Sequence, residues 1–195
     1  MIAVPGDWMN MADPNTFIAL LRAVNVGGTG KLPMKELVAL CAGLGFQDVQ
    51  TYIQTGNVVF RTRMSAPDAK VAFEKALAAQ IGKHFDVILR TADELRVVME
   101  DNPFPDGEGK QVMVSFCQEP VPKNALDGFV GPDGERAVAA AREIYIHFPN
   151  GMGRSKFKMP RMKAVATTRN MNTVRKLVEM AFLVHNLPCP PSPPC

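Results

Sequence analysis

Between residues 16 and 90, short apolar runs alternate with segments of helical period, and the order of these segments constrains the fold more than any other feature of the chain. "TFIALLR" has the length and apolar character of a strand. The next segment puts Met34, Leu37, Val38, Cys41 and Leu44 on one helical face, with Pro33 suited to a first turn and Gly43 and Gly45 to a stop. "VQTYIQTGNVVFRT" reads as two strands around a turn at "TGN". "SAPDAKVAFEKALAAQIG" opens with Ser65 three residues before Asp68 and repeats Ala69, Phe73, Leu77 and Ile81, which predicts a capped second helix. With "FDVILR" as a closing strand, the order is β-α-β-β-α-β, that of a ferredoxin-like unit.

A Thr-x-x-Glu capping box at Thr91 and Glu94 starts a connecting helix, "TADELRVVME", followed by the turn-rich "NPFPDGEGK". The pattern then restarts: "QVMVSFC" as a strand, "PKNALDGF" as a short helix, "ERAVAAA" and "EIYIHF" as a strand pair, and "NTVRKLVEMAFLV" as a helix with Val174, Leu177, Val178 and Ala181 inward. The expected fold is therefore α/β (α+β) with two β-α-β-β-α units. A flexible lead (1–14) precedes the first unit (15–90), residues 91–109 connect it to the second (110–185), and a Pro-rich tail (186–195) ends the chain.

Composition excludes several classes. No window approaches the roughly 18 to 20 continuous apolar residues of a membrane-spanning helix, so no membrane partner is expected. Cys41, Cys117, Cys189 and Cys195 form no CxxC pair, and His84, His147 and His185 have no second ligand three or four residues away. We expect a cytoplasmic protein with no metal and no cofactor. The net charge of +3 conceals an asymmetry: residues 151 to 176 hold eight basic side chains and no acidic one, while the other 14 basic residues face 19 acidic ones.

Two stretches invite chemical readings. "NVGGTGKL" has a Gly-Lys at the end of a glycine-rich turn, but Asn25 stands where a Walker loop has its first Gly, and Leu32 where it has its Mg²⁺-binding Ser or Thr. What survives is a tight turn before a helix without a side-chain cap, an end that favours an anion beside Lys31. In "GMGRSKFK", Ser155 and Lys158 have Ser-x-x-Lys spacing without the companion motifs of that chemistry, so no catalytic residue is named. The basic segment has only Phe157 as an interleaved aromatic, which argues against a base-stacking nucleic-acid surface.

Three separated stretches, "LLRAVNVGG", "TYIQTGNVVF" and "TTRNMNTVRKL", resemble the hallmarks L-R-x-x-N-V-G-G, T-Y-x-x-[ST]-G-N-V-x-F and T-x-R-N-x-x-T-x-x-K-L of the bacterial family known as domain of unknown function 1697, from about Thr16 to Leu183. The resemblance implies two intertwined ferredoxin-like subdomains and no established activity. Ala23 stands where the family often has Gly, and Met171 where it often has Trp.

The motifs and the charge converge on one expectation, a polar, cationic pocket for an anionic ligand: a phosphorylated metabolite, a nucleotide or a nucleic-acid backbone. Its candidate residues are Arg22, Asn25, Gly27, Gly28, Lys31, Asn57, Arg154, Ser155, Lys156, Arg169 and Asn170. Asn57 and Asn170 equally suit turn and cap roles. The alternatives are a metal-independent small-molecule enzyme using the same pocket, or a protein-interaction module. Oligomeric state is not legible in the sequence.

Overall fold

The computed structural model describes residues 14–24, 32–157 and 165–188. Its first sheet contains β1 (Asn15–Leu21), β2 (Gln47–Tyr52), β3 (Asn57–Thr62) and β4 (Val87–Thr91), in the antiparallel order β2-β3-β1-β4. Helices α1 (Met34–Gly43) and α2 (Ala66–Ile81) connect these strands as the hydrophobic pattern predicts. The Ser65 hydroxyl accepts from Asp68 N at 3.3 Å, and Gly82 ends α2 in the left-handed conformation. Helix α1 starts after Pro33 with no side-chain cap.

Helix α3 (Ala92–Glu100) has the full capping box: Glu94 N donates to Thr91 Oγ1 and Thr91 N to Glu94 Oε2. The second sheet contains β5 (Val112–Cys117), β6 (Arg136–Ala139), β7 (Glu143–His147) and β8 (Ala166–Asn170), in the order β6-β7-β5-β8, and α4 (Met171–His185) follows. Taken by position within each set, the two sheets have the same strand order. The architecture is thus mixed α/β, with two four-stranded antiparallel sheets and four α-helices among the described residues.

Two details differ from the sequence expectation. "PKNALDGF" forms successive four-residue turns (Ala125 N to Pro122 O, Asp127 N to Asn124 O, Phe129 N to Leu126 O) instead of a helix. Prolines at 120 and 122 and glycines at 128 and 131 leave too few residues to propagate one. "ATTRN" is a strand, β8, ahead of α4; its polar sequence conceals a burial that hydrogen bonds, not apolarity, make possible.

Alternation along β1 sends Phe17, Ala19 and Leu21 to one face and Ile18 and Leu20 to the other. The first set packs under α1 and α2 with Leu37, Cys41, Phe73 and Leu77. The second joins a core shared by both sheets, built from Leu95 and Val98 of α3, Val174, Leu177 and Ala181 of α4, and Val114 and Phe116 of β5. Helix α4, the last element of the second set, thereby lies on the first sheet. Both faces of the first sheet are covered, so β1 and β3 are almost wholly buried.

Two arginines tie the sheets together at polar points. The first, Arg90 on β4, is fully buried and reaches the Glu143 carboxylate, with Nε to Oε1 at 3.1 Å and Nη2 to Oε1 at 2.9 Å. The second is Arg169 on β8.

Candidate functional site

Arg169 lies opposite Val114 in the β5–β8 register and is 7% exposed. Its Nη2 crosses to the first sheet, donating to the carbonyl of Leu21 at 2.9 Å and to those of Thr55 and Gly56 at 3.1 and 3.3 Å. Its Nε donates to Asn57 Oδ1. Its Nη1 stays on its own strand, with Thr167 Oγ1 and the Thr168 carbonyl both at 2.8 Å. Every N–H of the guanidinium is engaged, and every acceptor is neutral. Among the described residues no carboxylate pairs with it, and burial pulls its pKa down to about 10.

The turn between β2 and β3 is built to present those acceptors. Gly56 has φ +75°, and its carbonyl accepts from Leu21 N at 2.8 Å, which pulls the turn against the end of β1. Asn57 is completely buried; its Nδ2 donates to the Tyr52 carbonyl at 3.0 Å and to Thr55 Oγ1 at 3.1 Å, so its Oδ1 is left for Arg169. Asn170 caps α4, accepting from Thr173 N at 2.8 Å. The two asparagines therefore fill the turn and cap roles their chemistry suits, and they do so on either side of Arg169.

In front of this junction is an open cleft of about 310 Å³. Leu21, Val24, Ile53 and Met113 form its apolar wall, and Thr55, Thr167, Thr168, Asn170 and Thr173 line its polar wall beside Arg169. Two cleft residues, Ala23 (φ +54°) and Ile53 (φ +49°), hold left-handed backbone conformations without being glycine. Such conformations cost on the order of 1–2 kcal/mol each and concentrate where a binding surface dictates the chain path.

The other sequence candidates are placed differently. Arg22 follows Leu21, but its half-exposed side chain pairs with Asp86 Oδ2 at 3.0 Å and does not line the cleft. Asn25, Gly27, Gly28 and Lys31 lie outside the described residues, as does Lys158. Arg154 and Lys156 are exposed and border neither cavity on this side of the molecule. Ser155 donates to Glu135 Oε1 and accepts from Phe157 N at 2.9 Å; it lines a smaller cavity of about 240 Å³ that shares Met113 and Thr168 with the cleft. Its hydrogen bond holds the Glu135 carboxyl below the usual range, the ionised state of a loop anchor.

The candidate residues named from the sequence do not include the threonines at 55, 167, 168 and 173 or the Arg90–Glu143 pair. The threonines at 167 and 173 stand two before and four after Arg169 within one of the recognised motifs, a signal that was available. Metal chemistry has one geometric candidate among the described residues, where ligand atoms of Glu74, His84 and Asp86 lie within 4.8 Å of one another. Lys70 already holds Glu74 at 2.8 Å and Arg22 holds Asp86, so cations of the chain itself occupy that cluster.

A family model described as "Protein of unknown function (DUF1697)" matches residues 15–145. That match stops short of β8 and α4, which carry the late motif. No curated protein matches the sequence. Among solved structures, the conserved bacterial protein SP0830 from Streptococcus pneumoniae is similar, with a TM-score of 0.67 and 20% identity over 86% of this chain and 99% of that chain. At that identity the likeness shows the shared fold alone. No helix among the described residues is long and apolar enough to cross a membrane.

Proposed function

The chain belongs to the DUF1697 family of proteins of unknown function, and we propose that it binds a small anionic ligand in the cleft beside Arg169. The observation that carries this reading is the buried guanidinium with neutral acceptors only. Removing a charge from water costs several kcal/mol, and neutral dipoles recover only part of that cost. The uncompensated positive charge makes the cleft a favourable place for an anion.

The surroundings support binding rather than catalysis. Hydroxyls of Thr55 and Thr173 offer donors, whereas the described lining contains no carboxylate, imidazole, thiol or amine to move a proton. The strained backbone at Ala23 and Ile53 fits a surface shaped for a ligand. A cleft of about 310 Å³ suits a small metabolite better than a polymer backbone, which places nucleic acid behind a small molecule among the partners. The strand order of each sheet supports a ferredoxin-like description of the two units.

The test is thermal shift of the wild-type protein against inorganic phosphate, small carboxylates and nucleotides at constant ionic strength. A saturable rise in Tm with at least one anion is expected, since a ligand at 100 times its Kd adds about 2.7 kcal/mol. No concentration-dependent shift with any of them would refute the reading.

A further inference from the structure

The Arg169 junction has a near-copy elsewhere in the molecule. In each half, the penultimate residue of the fourth strand is an arginine, the strand's last residue caps a helix, and the arginine reaches into the opposite sheet. Arg90 Nη2 donates to the carbonyl of Cys117, the last residue of β5, as Arg169 Nη2 donates to that of Leu21, the last residue of β1. Arg90 Nη2 also reaches the carbonyl just before β7, that of Arg142, as Arg169 Nη2 reaches the one just before β3, that of Gly56. Each Nη1 donates to the carbonyl of the preceding residue, Leu89 or Thr168. Each Nε donates to the side chain of the first residue of the third strand. Four bonds therefore match in donor, direction and topological position.

The two junctions differ in charge. The first residue of the third strand is Glu143 at the Arg90 junction and Asn57 at the Arg169 junction. The third helical residue after the cap is Glu94 in one half and Thr173 in the other, and α4 has no acidic residue in its first turn where α3 has two. The scaffold is the same and the carboxylates are gone from one copy.

We infer that the cleft is the ligand-receiving counterpart of the Arg90–Glu143 pair, that it takes a small organic acid whose single carboxylate supplies the missing charge, and that Asn57 is the residue that reserves the place for it. This rests on the anion-binding reading above and names its ligand class and its specificity determinant. Arg169 acts as a positioning charge: its N–H groups are already used, so it attracts the carboxylate through its field and holds the β2–β3 turn. Thr55 accepts from Asn57 Nδ2 and keeps its own O–H to donate, and Thr173 stands on the same wall. One residual positive charge matches a monoanion, and Leu21, Val24, Ile53 and Met113 suit a short apolar body behind it.

Titrations of the full chain with butyrate, inorganic phosphate and ATP, followed by calorimetry in wild type, Asn57→Asp and Thr173→Glu, test this. Asn57→Asp places a fixed carboxylate on Arg169, and Thr173→Glu rebuilds at α4 the capping box seen at α3, so neither result depends on the other variant folding. Butyrate is expected to bind the wild type at least tenfold more tightly than phosphate or ATP, and each variant to lose at least tenfold in butyrate affinity. Preference for phosphate or ATP would overturn the ligand class. Undiminished butyrate binding in the folded variants would overturn the role of the missing carboxylates. No saturable binding of any anion by the wild type would instead remove the reading on which the inference rests.

Discussion

Arg169 and Arg90 make the same kind of crossing between the sheets, and disturbing the two crossings should have unequal costs. Glu143→Gln keeps an acceptor oxygen for Arg90 but removes its counter-charge, and a loss of about 2 kcal/mol in urea denaturation is expected. Arg169→Met removes the donor to the Thr55 carbonyl and to Asn57 Oδ1 and one of two donors to the carbonyls of Leu21 and Gly56, and a loss of about 3–5 kcal/mol is expected. The depressed pKa of Arg169 fixes a direction with pH. A bound anion favours the charged guanidinium, so affinity should be level from neutral pH upward and fall as pH rises through about 10, where the free cleft loses its proton. Strain gives a simpler measurement: Ala23 at φ +54° should gain about 1 kcal/mol on replacement by glycine, provided no ligand is present to fix the loop.

At the scale of elements, the β2–β3 turn is the part on which the junction depends. A Cβ added at Gly56 would lie 2.8 Å from Leu21 Cβ at a φ of +75°. Gly56→Ala should therefore cost at least about 2 kcal/mol and, by moving the carbonyl that accepts from Arg169, weaken anion binding more than a remote substitution of equal cost. This turn was legible in the sequence because "TGN" between β-branched runs has few other uses. So were α1, α2 and α3, whose periodicity and caps agree with their packing. Strand β8 was not, because Thr167 and Arg169 are buried through hydrogen bonds while their composition reads as the start of a helix. The helix expected at "PKNALDGF" failed for the opposite reason: its apolar spacing was suitable, but prolines and glycines set the backbone.

At the scale of the molecule, α4 fastens the last segment of the chain onto the first sheet, and one core joins both sheets. The two halves should unfold as one unit, with coincident transitions by far-UV circular dichroism and by thiol labelling. Cys41 and Cys117 report on different halves: burial pushes the Cys41 thiol up to about 12 and raises that of Cys117. Both should resist iodoacetamide at pH 8 until that transition and then react together.

The pairing of Asn57 with Arg169, 112 residues apart, was visible in the sequence only as two motifs that recur together. The charge difference from the Arg90 junction needed the fold, because no residue identity marks Glu143 and Asn57 as equivalent. The most direct measurement is the Nε–Hε resonances of Arg169 and Arg90 by ¹H–¹⁵N NMR during titration of the wild-type protein with butyrate. A saturable shift of the Arg169 resonance is expected, with that of Arg90 unchanged. Equal shifts of both, or none at saturation, would contradict it.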